Sequence, residues 1–153
     1  YFAEMSEIIF LHDGMIDKFI GDAIMAVFGT PKAETNNVAN AINAGRKMIE
    51  RLESLNKELK AEGLPEIKIG VGVHSGDAIA GNVGSISRMD YTVIGDTVNV
   101  AARIEGMTKE LGHALLVSKV AAEDSQLSGL EKVAEVSLKG KSDKFELYGE
   151  SKV

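Results

Sequence analysis

The sequence contains no cysteine, which excludes disulfide scaffolds and thiolate metal sites alike. Its three histidines lie far apart in the chain, so any bound metal is expected to be a hard ion held through oxygen. Basic residues are also scarce: 17 lysines and arginines against 23 aspartates and glutamates leave a net charge of −6. A nucleic-acid partner is therefore not expected, because a polyphosphate backbone is bound by a basic stripe that neutralises several phosphates. A single small anion escorted by a metal is compatible with this charge. No apolar run approaches the roughly 18 to 20 residues that span a bilayer. The opening YFAEMSEIIFLHDG lacks the basic flank of a signal peptide, so this segment reads as soluble. The GxxxxGK[ST] loop is missing, which argues against a P-loop nucleotidase, and neither GxSxG nor HExxH occurs.

What is present suits one globular domain: 153 residues, 44% of them hydrophobic, are enough to bury a core. The first residue is Tyr1, and helical periodicity begins at once with Phe2, Met5, Ile8 and Ile9. Both features suggest a piece of a longer protein. Gly14 breaks that pattern, and β-type runs at 15–20 and 23–28 flank a Gly-Asp pair, a two-residue hairpin signal. Pro31 ends the hairpin. A long helix reads over 37–59, with Val38, Ile42, Ile49 and Leu52 on its apolar stripe, until Gly63 and Pro65 stop it.

A second hairpin is read in IKIGVGVHSGDAIAGNVG, where Ile67, Ile69, Val71 and Val73 alternate with Lys68, Gly70, Gly72 and His74. Its glycine face leaves two explanations open, a ligand lying close or a tightly packed helix. Gly95-Asp96 looks like a turn and helix N-cap, opening a helix to about Lys109 whose buried stripe is Val100, Ile104, Met107 and Leu111. Strands at 114–117, 133–138 and 145–148 and a short helix near Val120 close the chain. The order predicts an α/β (α+β) sandwich, a mostly antiparallel sheet covered by helices, because hairpins rule against a purely parallel doubly wound sheet.

Several polar residues stand where chemistry is possible. Asp22 is either an ordinary turn aspartate or a carboxylate that the turn presents. Lys18 shares a strand face with Ile16 and Ile20, where an ammonium needs a partner unless it snorkels from an edge strand. Asn99 and Arg103, four residues apart on one helix, project beside the buried stripe. The planar arginine fork suits phosphate, and asparagine can hold an oxygen without adding charge; a solvated helix face is the alternative. Lys139, Lys141 and Lys144 crowd LKGKSDK, a local basic excess that would draw an anion into a cleft. His74 is read as a strand-end residue.

The motifs DKFIGDAIMAVFG, GVGVHSGDAIAGNVGS and YTVIGDTVNVAARIE, in that order and at these separations, closely resemble the catalytic domain of class III nucleotidyl cyclases, the adenylate and guanylate cyclases. The similarity runs over nearly the whole chain. It implies a ferredoxin-like core with extra elements and catalysis at the interface of a head-to-tail homodimer.

By motif position, Asp22 resembles the second of two aspartates that bind a pair of Mg2+ or Mn2+ ions. Lys18 and Thr92 resemble the base-reading pair, Asn99 and Arg103 the transition-state stabilisers, and Lys139 the lysine that grips the triphosphate. Lysine with threonine favours ATP over GTP, since guanylate cyclases typically carry Glu and Cys there. Lysine donates to the accepting ring nitrogen of adenine, whereas guanine presents an N–H at that position. The first metal aspartate of the family belongs to an upstream strand with a motif like FxDIxGFT, and this chain begins after it. The expectation is thus one cyclase domain, 1–153, incomplete at its N-terminus and inactive alone. Its parent is expected to be an adenylate cyclase with regulatory domains, either cytoplasmic or membrane-tethered with this domain in the cytoplasm. A catalytically inactive nucleotide-binding or dimerisation homologue and a guanylate cyclase are the alternatives.

Overall fold

The computed structural model describes residues 1–33 and 36–151. Helix α1 (Phe2–Leu11) leads into strand β1 (Gly14–Ile20), which turns into β2 (Ala23–Phe28). Then follow α2 (Asn37–Ala61), β3 (Val71–Val73), β4 (Ile79–Ser85), β5 (Arg88–Ile94), α3 (Asp96–Leu111), β6 (Leu115–Ser118), α4 (Lys119–Ser125), β7 (Leu130–Ser137) and β8 (Lys144–Glu150). Four strands form one sheet in the order β3-β6-β8-β7, with β3 parallel to β6 and the other pairs antiparallel. β1–β2 and β4–β5 form separate antiparallel ribbons. The mixed, mainly antiparallel α+β architecture is the one the element order predicts.

All four residues of β6 are buried, because helices cover both faces of its sheet. Leu115 and Val117 point to Ile42 of α2 and Ala121 of α4, while Leu116, between them, joins Val100 and Ile104 of α3 with Leu147. Alternation along a strand thus feeds two cores, and each fully buried Leu or Ile contributes about 1.5–3 kcal/mol. At the start of α2 the Asn36 side chain accepts from the Ala39 N–H at 3.2 Å, a cap worth about 1 kcal/mol relative to alanine. Arg51 of α2 pairs with Glu4 of α1 at 2.6 Å, beside a third cluster of Met5, Ile8 and Ala44.

The second hairpin is not the one the alternation suggests. Residues 67–70 join no sheet, and both backbone groups of Ile67 bond to the Asn56 side chain at 2.8 Å. β3 pairs with the distant β6, and the hairpin is β4–β5, turning at Ile86-Ser87. The glycine face of β3 is explained by helix packing: a Cβ on Gly72 would lie 2.4 Å from the backbone nitrogen of Glu105, and one on Gly70 would strike Thr108.

Candidate active site

Ile16 pairs with Ala26 and Lys18 with Met25, so Asp17 is an extra residue in β1. This is a β-bulge, which re-aims a side chain. The bulge corrects the expected face: Lys18 shares its side of the ribbon with Ile20, while Ile16 lies on the other. It also turns Asp17 inward, to 1% side-chain exposure. There its carboxylate accepts from the Thr92 hydroxyl at 2.7 and 2.9 Å and from the Val93 N–H at 3.0 Å. The Lys18 ammonium lies 3.7 Å from Asp17 Oδ1 with half of its side chain exposed. One buried carboxylate therefore joins the two hairpins and brings Lys18 and Thr92 together.

The hairpin turn after β1 has Gly21 at φ 60°, a conformation that costs glycine little, and it holds Asp22 exposed. Burial first, and then the negative charge of Asp22, push the Tyr1 phenol above its ordinary value, so Asp22 faces the start of α1. Among the described residues, no hydrogen bond or ion pair joins Asp22 to Lys18, Thr92, Asn99, Arg103 or Lys139.

Three residues separate Thr92 from α3, which is entered through Gly95 at φ 152°. Asp96 does not cap this helix through its side chain. It receives instead a hydrogen bond from Lys141, which holds its carboxyl below the usual carboxylate range. Asn99 stands exposed one turn into α3. Arg103, a further turn along and half-buried, donates to the carbonyl oxygen of Lys139. The basic loop between β7 and β8 is thus strapped twice to α3. Close by, burial depresses the His74 imidazole, whose Nδ1 lies 2.8 Å from Ser118 Oγ.

The structure thus gathers Lys18 with Thr92, and Arg103 with Lys139, and leaves Asp22 apart. For a hard dication, Asp22 fits in kind: it is an exposed carboxylate on a tight turn. It supplies one ligand where six oxygens are common, and the described residues include no cluster of three acidic, histidine or cysteine side chains. Sequence reasoning missed Asp17; the available signal was an acid beside a lysine in an otherwise apolar strand. It also missed the Lys141–Asp96 pair, because residues 45 apart give no local pattern.

A family model described as "Adenylate and Guanylate cyclase catalytic domain" matches residues 1–149. Adenylate cyclase 1 of Rhizobium meliloti is 38% identical over 97% of this chain, and adenylate cyclase of Anabaena cylindrica is 39% identical over 97%. The chain spans only 22% and 30% of the length of those relatives. Among solved structures, the adenylyl cyclase CyaB of P. aeruginosa superposes with a TM-score of 0.89 at 29% identity, covering all of this chain and 79% of that one. The guanylyl cyclase Cya2 superposes with a TM-score of 0.87 at 28% identity, covering 100% and 77%.

Proposed function

The chain belongs to the adenylate and guanylate cyclase catalytic domains, and from that premise we propose that its parent converts ATP to 3′,5′-cyclic AMP and pyrophosphate for signalling, in pockets shared by two copies of this domain. The observation that carries this reading is the division of the candidate residues within one chain. Lys18 and Thr92 meet on Asp17, and Arg103 meets the backbone of Lys139, while Asp22 sits apart on its turn. A head-to-tail homodimer brings Asp22 of one copy to the remaining residues of the other. Exposed apolar side chains support a pairing surface on that side: Ile20 shares a face with Lys18, and Ile79 and Ile94 share one with Thr92, at 58%, 77% and 50% exposure.

In this reading the ribose 3′-oxygen attacks the α-phosphorus and loses its proton to solvent. The new O–P bond forms as the bond to the bridging oxygen breaks, and pyrophosphate leaves with the electron pair. Arg103 meets negative charge developing on the α-phosphate, where a preorganised donor acts most strongly. Asn99 orients the ribose oxygen, and Lys139 grips the triphosphate. Lys18 donates to the accepting ring nitrogen of adenine, and Thr92 reads the adjacent exocyclic amine. Mg2+ or Mn2+, held by Asp22 and a second aspartate upstream of Tyr1, would supply the charge that lowers the pKa of the attacking hydroxyl and steadies the leaving phosphates.

A cleft of about 500 Å³ between residues 23–28 and 68–76 supports placing that upstream segment as a strand between β2 and β3. The facing edges of β2 and β3 join no ladder among the described residues. The catalytic domain of the parent works in the cytoplasm, with regulatory domains elsewhere in the longer chain.

The test uses the parent protein with ATP and Mn2+. Cyclic AMP is the expected product, and Arg103→Ala lowers kcat by roughly 10²- to 10³-fold. Mixing Asp22→Ala with Arg103→Ala chains restores roughly a quarter of the wild-type rate, since half of the dimers are mixed and each of these keeps one intact pocket. A fully active Arg103→Ala, or two variants that never complement, would defeat the shared-pocket assignment. Nucleotide binding without any turnover by the wild type would favour an inactive homologue.

A further inference from the structure

The adenine edge presents an accepting ring nitrogen beside an amine that donates; guanine presents the reverse, a ring N–H beside an accepting oxygen. A lysine ammonium only donates, so Lys18 suits adenine without further help. Threonine is ambiguous. A free hydroxyl turns its proton to whichever neighbour accepts, and so serves the amine of adenine and the oxygen of guanine equally. Base choice through Thr92 therefore depends on where its one proton is held.

The proton of Thr92 is committed. The hydroxyl donates to Asp17 at 2.7 Å from one carboxylate oxygen and 2.9 Å from the other. An ionised carboxylate accepts only, so the direction of the bond cannot reverse. Asp17 is itself held by the Val93 N–H at 3.0 Å and is 1% exposed, so it does not swing away or trade the hydroxyl for water. The same carboxylate lies 3.7 Å from the Lys18 ammonium. On the far side of Thr92 its cross-strand partner is Gly81, where a Cβ would have nothing within 4 Å. Thr92 itself is only 8% exposed, so a base edge would reach its hydroxyl through the space that Gly81 leaves.

We infer that Asp17 is a specificity-positioning residue: by taking the Thr92 proton it fixes one acceptor beside the Lys18 donor, in the order that matches adenine and mismatches guanine. This rests on the adenylate cyclase reading above. Asp17 touches neither the base nor the phosphates, and its effect on base choice passes through Thr92.

The experiment compares kcat/KM for ATP and GTP in the parent protein. In Asp17→Asn the side-chain amide retains an oxygen for Val93 but can offer its NH2 to Thr92, freeing the hydroxyl proton to point at the base. The ATP-to-GTP ratio then falls by roughly tenfold or more, chiefly through KM, with the melting temperature little changed. In a Thr92→Val background, where no hydroxyl remains, Asp17→Asn changes the ratio no further. A purely structural aspartate would lower both substrates' rates together and would still act in that background.

A wild type selective for ATP whose ratio stays within about twofold in Asp17→Asn overturns this inference and leaves the adenylate cyclase reading intact. A wild type that makes cyclic GMP, or neither product, overturns both. Should Asp17→Asn fail to fold, neutron diffraction of the wild-type parent decides: a Thr92 deuteron on the line to Asp17 supports the assignment, and one pointing elsewhere removes it.

Discussion

Around α3 the candidate residues stand on a helix jammed against glycine, whereas on the two hairpins they stand on strands with little behind them. Gly72 leaves room for backbone atoms of Ala101 and Glu105, each two residues beyond Asn99 and Arg103, and Val100 and Ile104 are at most 1% exposed. On the hairpins, Phe19, Ile20, Ile79 and Met89 are each more than half exposed, and the buried polar contact between β1 and β5 is the Asp17 carboxylate. Under the proposed reaction, the residues that would meet a developing charge are on the rigid half. Those that a second copy would complete are on the half that has surface left to bury.

The comparison breaks most visibly at Gly72. A methyl group there meets backbone at 2.4 and 2.8 Å, which does not give way as a flexible side chain would. Gly72→Ala is expected to cost about 3 kcal/mol and lower the melting temperature by roughly 6–12 °C. Arg103 would move with its helix, so kcat falls too. A melting temperature within about 2 °C of wild type would mean that the α3 face is not the rigid half.

How much of this was legible beforehand follows the range of each interaction. The helices and the first hairpin were readable because periodicity and the Gly-Asp pair are local signals. The β4–β5 hairpin was misplaced because it turns at Ile86-Ser87, which carries none of the glycine or asparagine of a two-residue turn, and because β3 finds its partner β6 some forty residues on. The two explanations for the glycine face could not be separated until Glu105 was seen against Gly72. Asp17 stayed hidden because a bulge breaks the two-residue alternation by which an inward side chain is recognised. Motif order nominated Lys18, Asp22, Thr92, Asn99, Arg103 and Lys139, but could not say which of them one chain brings together.

A smaller effect sharpens the hairpin side. Ile79→Ser with Ile94→Ser changes side chains that are 77% and 50% exposed, so monomer stability should shift by no more than about 0.5 kcal/mol per site. Dimerisation of the parent, followed by sedimentation velocity, should weaken by at least tenfold, and cyclic AMP production should fall with it. Unchanged self-association would show that this apolar surface is not where copies meet.

The smallest effect lies in the four-stranded sheet and the helix α4 beside it. Glu146 of β8 lies 2.7 Å from both Lys119 and Lys132, and hydrogen bonds from these two ammonium groups, Lys119 first, lower its carboxyl to about 2. A folded-state value below the ordinary 4.5 means that the unfolded chain takes up a proton which the folded chain refuses. The stabilisation is therefore complete above pH 4.5 and is lost as pH falls towards about 2. In Glu146→Gln this contribution disappears, so thermal melts followed by circular dichroism should show a shallower fall in melting temperature across that window. The gap between variant and wild type should close at its acid end. No titrating link of this kind joins β7, β8 and α4 to the hairpins among the described residues, so the Asp17–Thr92 contact should keep its ATP preference in Glu146→Gln. A changed substrate ratio in that variant would show that the two halves are coupled more tightly than their packing indicates.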